Sequence, residues 1–276
     1  MHADFLEATL GRTGMKVKRL GLSASYFPGK KAVNYALDNG VNLFFGYGWD
    51  VQMTHTLRDL FPARRQDVIV ATGAYNLIWG HMNLRKSLEK RLKQLHTDYL
   101  DVFMFLGVLK RTQYNDAITE ELIRFREEGK VRAIGLSCHD RKFLGELADK
   151  GDHDVLMLRY SAAHRGAEQD IFPHLEVHHP GVINYTATRW RFLFKRPKKW
   201  PKDARIPTPG ECYRFVLTNE NVDVCLTAPM NIRQLKENLA AVNEGPLSED
   251  DLKFMRYFGD VVHGASRMMR WDERHS

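Results

Sequence analysis

The sequence predicts a (β/α)8 barrel with an N-terminal β-hairpin and an extra C-terminal helix. Three observations lead there. Short apolar runs alternate with amphipathic runs eight times within 276 residues. The apolar runs lack polar alternation, as strands buried on both faces do. No G-x-G-x-x-G follows any strand and no G-x-x-x-x-G-K-[ST] occurs, so a doubly wound nucleotide-binding sheet is the weaker reading. Residues 1–276 are expected to form one barrel domain.

The elements follow in order. Residues 5–10 and 17–25 flank Gly11-Arg12-Thr13-Gly14, a polar link whose two glycines suit a hairpin turn. Residues 17–22 also make the first barrel strand. Residues 30–38 read as a helix stopped by Asn39-Gly40. A strand over 41–45, a helix over 55–61 and a strand over 67–72 come next. In 83–95, Leu84, Leu88, Leu92 and Leu95 share one helical face. Residues 99–106 are a nearly continuous apolar strand. Helix 116–128 ends at Gly129, followed by strand 131–136 and helix 141–150. Strand 155–160, helix 168–178, strand 181–185, helix 211–217, strand 222–226 and helix 232–242 complete the alternation. Residues 250–262 form the extra helix.

Residues 189–200 interrupt this order by interleaving Arg and Lys with Trp and Phe. In a barrel they overhang the C-terminal face, where active sites lie. Arginine suits bidentate contact with a phosphate, and Trp190 or Trp200 can stack on a ring. A solvated surface loop is the competing reading.

Composition narrows the function. Apolar residues make up 43% and charged residues 27%, which supports a packed core. Lys and Arg total 41 against 34 Asp and Glu, a net charge of +7. That excess favours anionic partners, and a phosphate-bearing cofactor satisfies it as well as nucleic acid does. No nucleic-acid module accompanies it, so nucleic acid is not expected. The longest apolar stretch, 102–109, is far shorter than the roughly 20 residues of a membrane helix. Cys138, Cys212 and Cys225 are few, odd in number and widely spaced, which suggests neither a disulfide framework nor a zinc site. No basic-then-apolar leader opens the chain, so the cytoplasm is the expected compartment. His174 and His178 stand four apart, a metal-binding spacing, but no third ligand is evident and a surface pair is favoured.

Several blocks resemble the aldo-keto reductase superfamily. Residues 10–17 with Arg19-Leu20-Gly21-Leu22 are similar to its N-terminal hairpin. Ala36-Leu37-Asp38-Asn39-Gly40-Val41-Asn42, Thr97-Asp98-Tyr99-Leu100-Asp101, residues 129–137 and Gln234-Leu235-Lys236-Glu237-Asn238-Leu239 are similar to later family blocks, in the family's order. The resemblance implies hydride transfer between a nicotinamide cofactor and a carbonyl, served by an Asp, a Tyr, a Lys and a His. A phenol of pKa about 10 needs a neighbouring cation to exchange protons readily at neutral pH. At those four places this chain has Phe45, Asp50, Gly73 and Leu106.

The resemblance also implies cofactor-binding positions. Ser137 matches a residue that holds the nicotinamide amide, although Cys138 and Met157 replace its usual Asn and Gln neighbours. Tyr185 matches the ring under the nicotinamide, Thr186 a pyrophosphate position, and Glu237 and Asn238 the adenine pair. Gln234 stands where an Arg is usual, beside Arg233. Arg189 and Arg191 add cations for phosphate. The expected cofactor is therefore NADP(H).

Tyr47, Tyr75 and His139 follow the second, third and fifth strands and are the candidates for proton transfer. Arg159 and His164 end the sixth strand, where an Arg either grips a ligand anion or forms a structural ion pair. Phe45, Trp49, Trp79 and Leu106 imply a small substrate, partly aromatic or apolar. The expected function is an NADP(H)-binding oxidoreductase with a non-classical active site. A non-redox lyase or isomerase and a catalytically silent nucleotide-binding regulator remain the alternatives.

Overall fold

A computed structural model describes residues 3–77, 80–81, 83–198 and 200–265. The chain begins with α1 (Ala3–Leu6), β1 (Glu7–Thr9), β2 (Lys16–Lys18), β3 (Leu20–Ser23) and α2 (Gly29–Asp38). It continues through β4 (Leu43–Phe45), α3 (Val51–Arg64), β5 (Ile69–Leu77), β6 (Gly80–His81) and α4 (Leu84–Leu95). Next come β7 (Leu100–Val108), α5 (Asp116–Glu127), β8 (Val131–Cys138), α6 (Arg141–Lys150), β9 (Val155–Arg159) and α7 (Ala167–Asp170). It ends with β10 (Gly181–Tyr185), α8 (Pro209–Leu217), β11 (Val224–Thr227), α9 (Ile232–Val242) and α10 (Glu249–Ala265).

Eight parallel strands close into a barrel in the order β3, β4, β5, β7, β8, β9, β10, β11, with β11 returning to β3. Side chains alternate between two cores, as the pleat requires. Leu43, Ile69, Val102, Ala133, Val155, Ile183 and Val224 fill the barrel. Their neighbours Phe44, Val70, Phe103, Ile134, Leu156, Val182 and Cys225 pack outward against the helices. The helices present Leu88, Leu92 and Leu95, or Leu235 and Val242, to that outer layer.

The β1–β2 hairpin stoppers the N-terminal end. Leu10, Met15 and Val17 complete the inner cluster from below. Asp223 ties this plug to the wall, its carboxylate accepting from Gly11 N at 3.1 Å and Val182 N at 2.8 Å. Asp154 does the same two strands over, accepting from Arg12 Nη2 at 3.0 Å and Ile134 N at 3.0 Å.

Four expectations are corrected. Residues 17–22 are not one strand. β2 pairs with β1 while β3 pairs with β11 and β4, so the chain changes direction at Arg19. The buried Arg19 guanidinium fixes that bend by donating to Val222 O at 2.7 Å. The helix expected over 168–178 is only α7, followed by a 3-10 turn at Phe172–His174. Pro173 removes an N–H and biases the residue before it away from the helical region. The helix expected at 55–61 starts earlier and runs on over Pro62 as α3. The third strand reaches Leu77, so Tyr75 stays within β5 rather than following it.

Candidate active site

The C-terminal ends of the strands form the mouth. Continuing the inward register gives Ser23, Phe45, Gly73, Tyr75, Leu106, Ser137, Arg159, Tyr185 and Leu226 as its ring. The ring has two chemically different halves. Over β4, β5 and β7 it is closed and apolar. Over β9, β10 and β11 and round to β3 it mixes polar and apolar side chains, Ser23, Met157, Tyr185 and Leu226, and opens into a cleft of about 400 Å³.

The open half gathers residues from three segments. Tyr185 and Thr186 come from the end of β10, Trp190 and Arg191 from the loop beyond it, and Arg233, Glu237 and Asn238 from α9. Asn238 is buried, and its Nδ2 donates to Thr227 Oγ1 at 2.9 Å. Thr227 in turn donates to Tyr213 OH at 3.0 Å. Arg233 and Glu237 face each other at 3.9 Å, both largely exposed. Burial pushes the Tyr185 phenol up, offset by Arg159 and Ser137 beside it.

The loop after β10 has an unusual backbone. Arg189, Trp190 and Arg191 take φ values of 49°, 49° and 72°, and Thr186 takes 63°. Such left-handed positions cost roughly 1–2 kcal/mol per residue. Surrounding packing must hold them. Arg189 N donates to Thr186 O at 2.8 Å, and Leu193, fully buried, pins the far side. The Arg189 side chain turns inward, and its Nη1 donates to Val262 O of α10 at 2.8 Å. Thus Arg189 anchors the loop, whereas Arg191 and Trp190 line the cleft. Trp200 also packs away from the cleft, buried against Phe258 with its Nε1 donating to Arg205 O at 2.9 Å.

The closed half is aromatic. Tyr47, Trp49 and Tyr75 form a triangular cluster, with ring centroids 5.0 Å apart for Tyr47–Trp49, 5.7 Å for Tyr47–Tyr75 and 5.6 Å for Trp49–Tyr75, and Phe45 meets Tyr47 edge-on at 5.0 Å. Tyr47 lines the cleft and its hydroxyl is 2.6 Å from Ser25 Oγ, which is 2.9 Å from Ser23 Oγ. These three hydroxyls form a chain along the cleft wall. Tyr75 lies behind Tyr47, and burial drives its phenol well above the ordinary range. A Cβ on Gly73 would meet Met104 O at 2.1 Å and Leu106 Cγ at 2.9 Å. No longer side chain fits there without moving β7. Asp50, 1% exposed, folds back into its own loop and accepts from Tyr47 N at 2.8 Å and Gly48 N at 2.7 Å.

His139 stands behind Tyr185, with Nε2 3.5 Å from the phenol oxygen. His164 is buried among Arg159, Arg141, His263 and Arg189, and desolvation followed by those charges lowers its pKa to about 3. Burial pushes the Cys138 thiol up to about 12, away from nucleophilic use. His174 and His178 both engage Asp149 of α6, at 2.8 and 3.0 Å. Among the described residues no three His, Cys, Asp or Glu side chains are grouped to hold a metal. Trp79 lies outside the described residues.

Sequence reasoning missed Ser23 and Ser25. The signal was present in Ser23-Ala24-Ser25, two hydroxyls at the C-terminal end of the first barrel strand.

A (β/α)8 barrel with one sided cleft at its C-terminal mouth defines the class of protein. The aldo/keto reductase family pattern matches residues 28–205, and the chain belongs to that family. An uncharacterised oxidoreductase of Bacillus subtilis is 27% identical over 59% of this chain and 60% of its own. The chain therefore spans less than two thirds of that relative. An L-galactose dehydrogenase of Arabidopsis thaliana is 26% identical over 85% of this chain and 87% of its own. An NADH-specific methylglyoxal reductase of Escherichia coli is 24% identical, covering 92% and 98%. An aldo-keto reductase from Bacillus halodurans, solved in its holo form, shares the fold at a TM-score of 0.76 and 19% identity, covering 91% and 95%.

Proposed function

We propose that this chain is an oxidoreductase that holds NADP(H) across the open half of the mouth and reduces a small, partly aromatic carbonyl compound. The observation that carries the reading is the convergence of Tyr185, Thr186, Arg191, Arg233, Glu237 and Asn238 on one cleft that ends at Tyr47. Tyr185 supplies a ring face for the nicotinamide. Arg191 and Arg233 supply cations for phosphate, and Asn238 a fixed amide at the adenine end. Two arginines favour the additional phosphate of NADP over NAD, unlike the Escherichia coli relative, whose name specifies NADH.

When bound, the dinucleotide supplies a hydride. The remaining work falls to this chain. The Tyr47 hydroxyl gives its proton to the carbonyl oxygen, and Ser25 and Ser23 return one along the hydroxyl chain. Trp49 and Tyr75 stack on Tyr47 and fix the phenol's direction. Three buried thiols at Cys138, Cys212 and Cys225 agree with a reducing cytoplasm.

Titration with NADPH tests the first half of this reading. Saturable quenching of protein fluorescence and a rise in melting temperature are expected. A flat titration sinks it. Following NADPH absorbance with methylglyoxal and aromatic aldehydes tests the second half. The crowding at Gly73 favours one other reading, a catalytically silent nucleotide-binding protein, because no lysine fits there. That reading predicts tight NADPH binding without turnover on any carbonyl.

A further inference from the structure

A second concavity lies on the barrel's flank, between α3 and α4, and encloses about 320 Å³. Its two walls are basic. His55 and Arg58 stand three apart on α3, and Lys90, Lys93 and His96 stand three apart along α4 and its cap. No Asp or Glu lines it. Of the nearby acids, Glu89 is engaged with Lys130 at 2.6 Å, and Asp59 pairs at the exposed surface with the groove's own Arg58 at 3.4 Å. Among the described residues, Lys90, Lys93, His55 and His96 have no acidic partner, whereas Arg64, Arg85, Arg124 and Lys130 on the same flank are all ion-paired.

The floor adds an independent observation. Thr54, Gln94 and Gly48 form it. Beneath them lies Arg91, 4% exposed, with Nη1 bonded to Thr54 Oγ1 at 3.2 Å and Gln94 Oε1 at 3.0 Å. Among the described residues its Nε has no hydrogen-bond partner. The Arg91 side chain packs directly under Gly48, where an added Cβ would stand 3.2 Å from Cδ and 3.8 Å from Nε. Asp50 offsets part of the Arg91 charge from the other side. Lys90 and Lys93 on α4 are joined across the hollow by Arg58 on α3, whose charge the exposed Asp59 only partly offsets, and like charges gathered around one hollow favour a counter-anion.

We propose that this groove binds a small polyvalent phosphate, separately from the nucleotide cleft. Lysine ammoniums act as point charges that several phosphate oxygens can share, and the polar floor accommodates the remainder. The groove also adjoins the loop that carries Tyr47 and Trp49, since Gln94 Nε2 donates to Gly48 O at 3.1 Å.

Calorimetric titration with inorganic pyrophosphate at constant ionic strength tests the assignment. A saturable component is expected that weakens at least tenfold in Lys90→Glu/Lys93→Glu and persists in Arg191→Ala/Arg233→Ala. The milder Lys90→Ala/Lys93→Ala pair, with a circular-dichroism melt, guards against a folding defect and should weaken the same component. Binding unchanged by both lysine pairs overturns the proposal. So does its complete loss in the Arg191/Arg233 variant, or a response to duplex DNA or RNA with none to pyrophosphate. NADPH titration of the lysine variants should match wild type, so failure here leaves the nucleotide reading intact.

Discussion

The two halves of the barrel mouth solve opposite problems. Over β9, β10 and β11 and round to Ser23 of β3, the strand ends open into the cleft. Over β4, β5 and β7, the corresponding positions are Phe45, Gly73 and Leu106, packed among themselves with almost no exposure. One half keeps surface available for a ligand, and the other spends its surface on packing. An open cleft and a tightly packed floor can therefore sit side by side at one mouth, because different strands build them.

The sharpest way to break this contrast is Gly73→Lys. Its Cβ alone would lie 2.1 Å from Met104 O. We expect a protein that fails to fold or melts roughly 5–10 °C lower, since overpacking commonly costs about 1–3 kcal/mol and each kcal/mol moves the midpoint by about 2–4 °C at this size. A Gly73→Lys protein melting like wild type would show that the closed half can open. Tyr47→Phe ranks second. It keeps the stack but removes the hydroxyl bonded to Ser25. Carbonyl reduction should fall by roughly 10²- to 10⁴-fold with NADPH binding unchanged. An equal kcat in the phenylalanine variant would remove Tyr47 from the chemistry.

Tyr185→Ala probes the open half. Losing one ring face should weaken NADPH about tenfold, read as a dissociation constant. Wild-type affinity would mean that the cleft holds its ligand elsewhere. The smallest effect concerns pH. His164 is buried neutral, with its pKa lowered to about 3 from an ordinary 6.5. Its unfolded form takes up a proton first as the pH falls. The stability it contributes is complete above about 6.5 and is lost progressively toward 3. Urea unfolding at pH 7 and pH 4.5 should show a drop in wild type that His164→Gln reduces. Parallel drops in both proteins would place the acid sensitivity elsewhere.

The sequence disclosed the barrel because alternation of apolar strands with amphipathic helices is a local property. Tyr185, Thr186, Glu237 and Asn238 were picked out instead by resemblance to family blocks, and the end of β10 and α9 bring them to one cleft. What escaped it depends on contacts distant in sequence. Arg189 reads as a phosphate ligand among basic neighbours, yet its partner is 73 residues away in α10. Trp200 reads as a stacking ring, yet Phe254 and Phe258 bury it. Ser25 was hidden because a hydroxyl matters only beside Tyr47, 22 positions on. The helix over 168–178 was misjudged for a local reason, since Pro173 stood in plain view.

The peg from Arg189 to Val262 O has a practical corollary. It makes the tail of α10 a remote handle on the groove's lip. Trimming the final turn of that helix removes the carbonyl that secures a left-handed bend more than seventy positions upstream. The bend would relax toward ordinary backbone angles and swing Trp190 and Arg191 off their line. Engineering near residue 262 should accordingly register first as a loss of grip on the dinucleotide, before any change in the barrel is detectable.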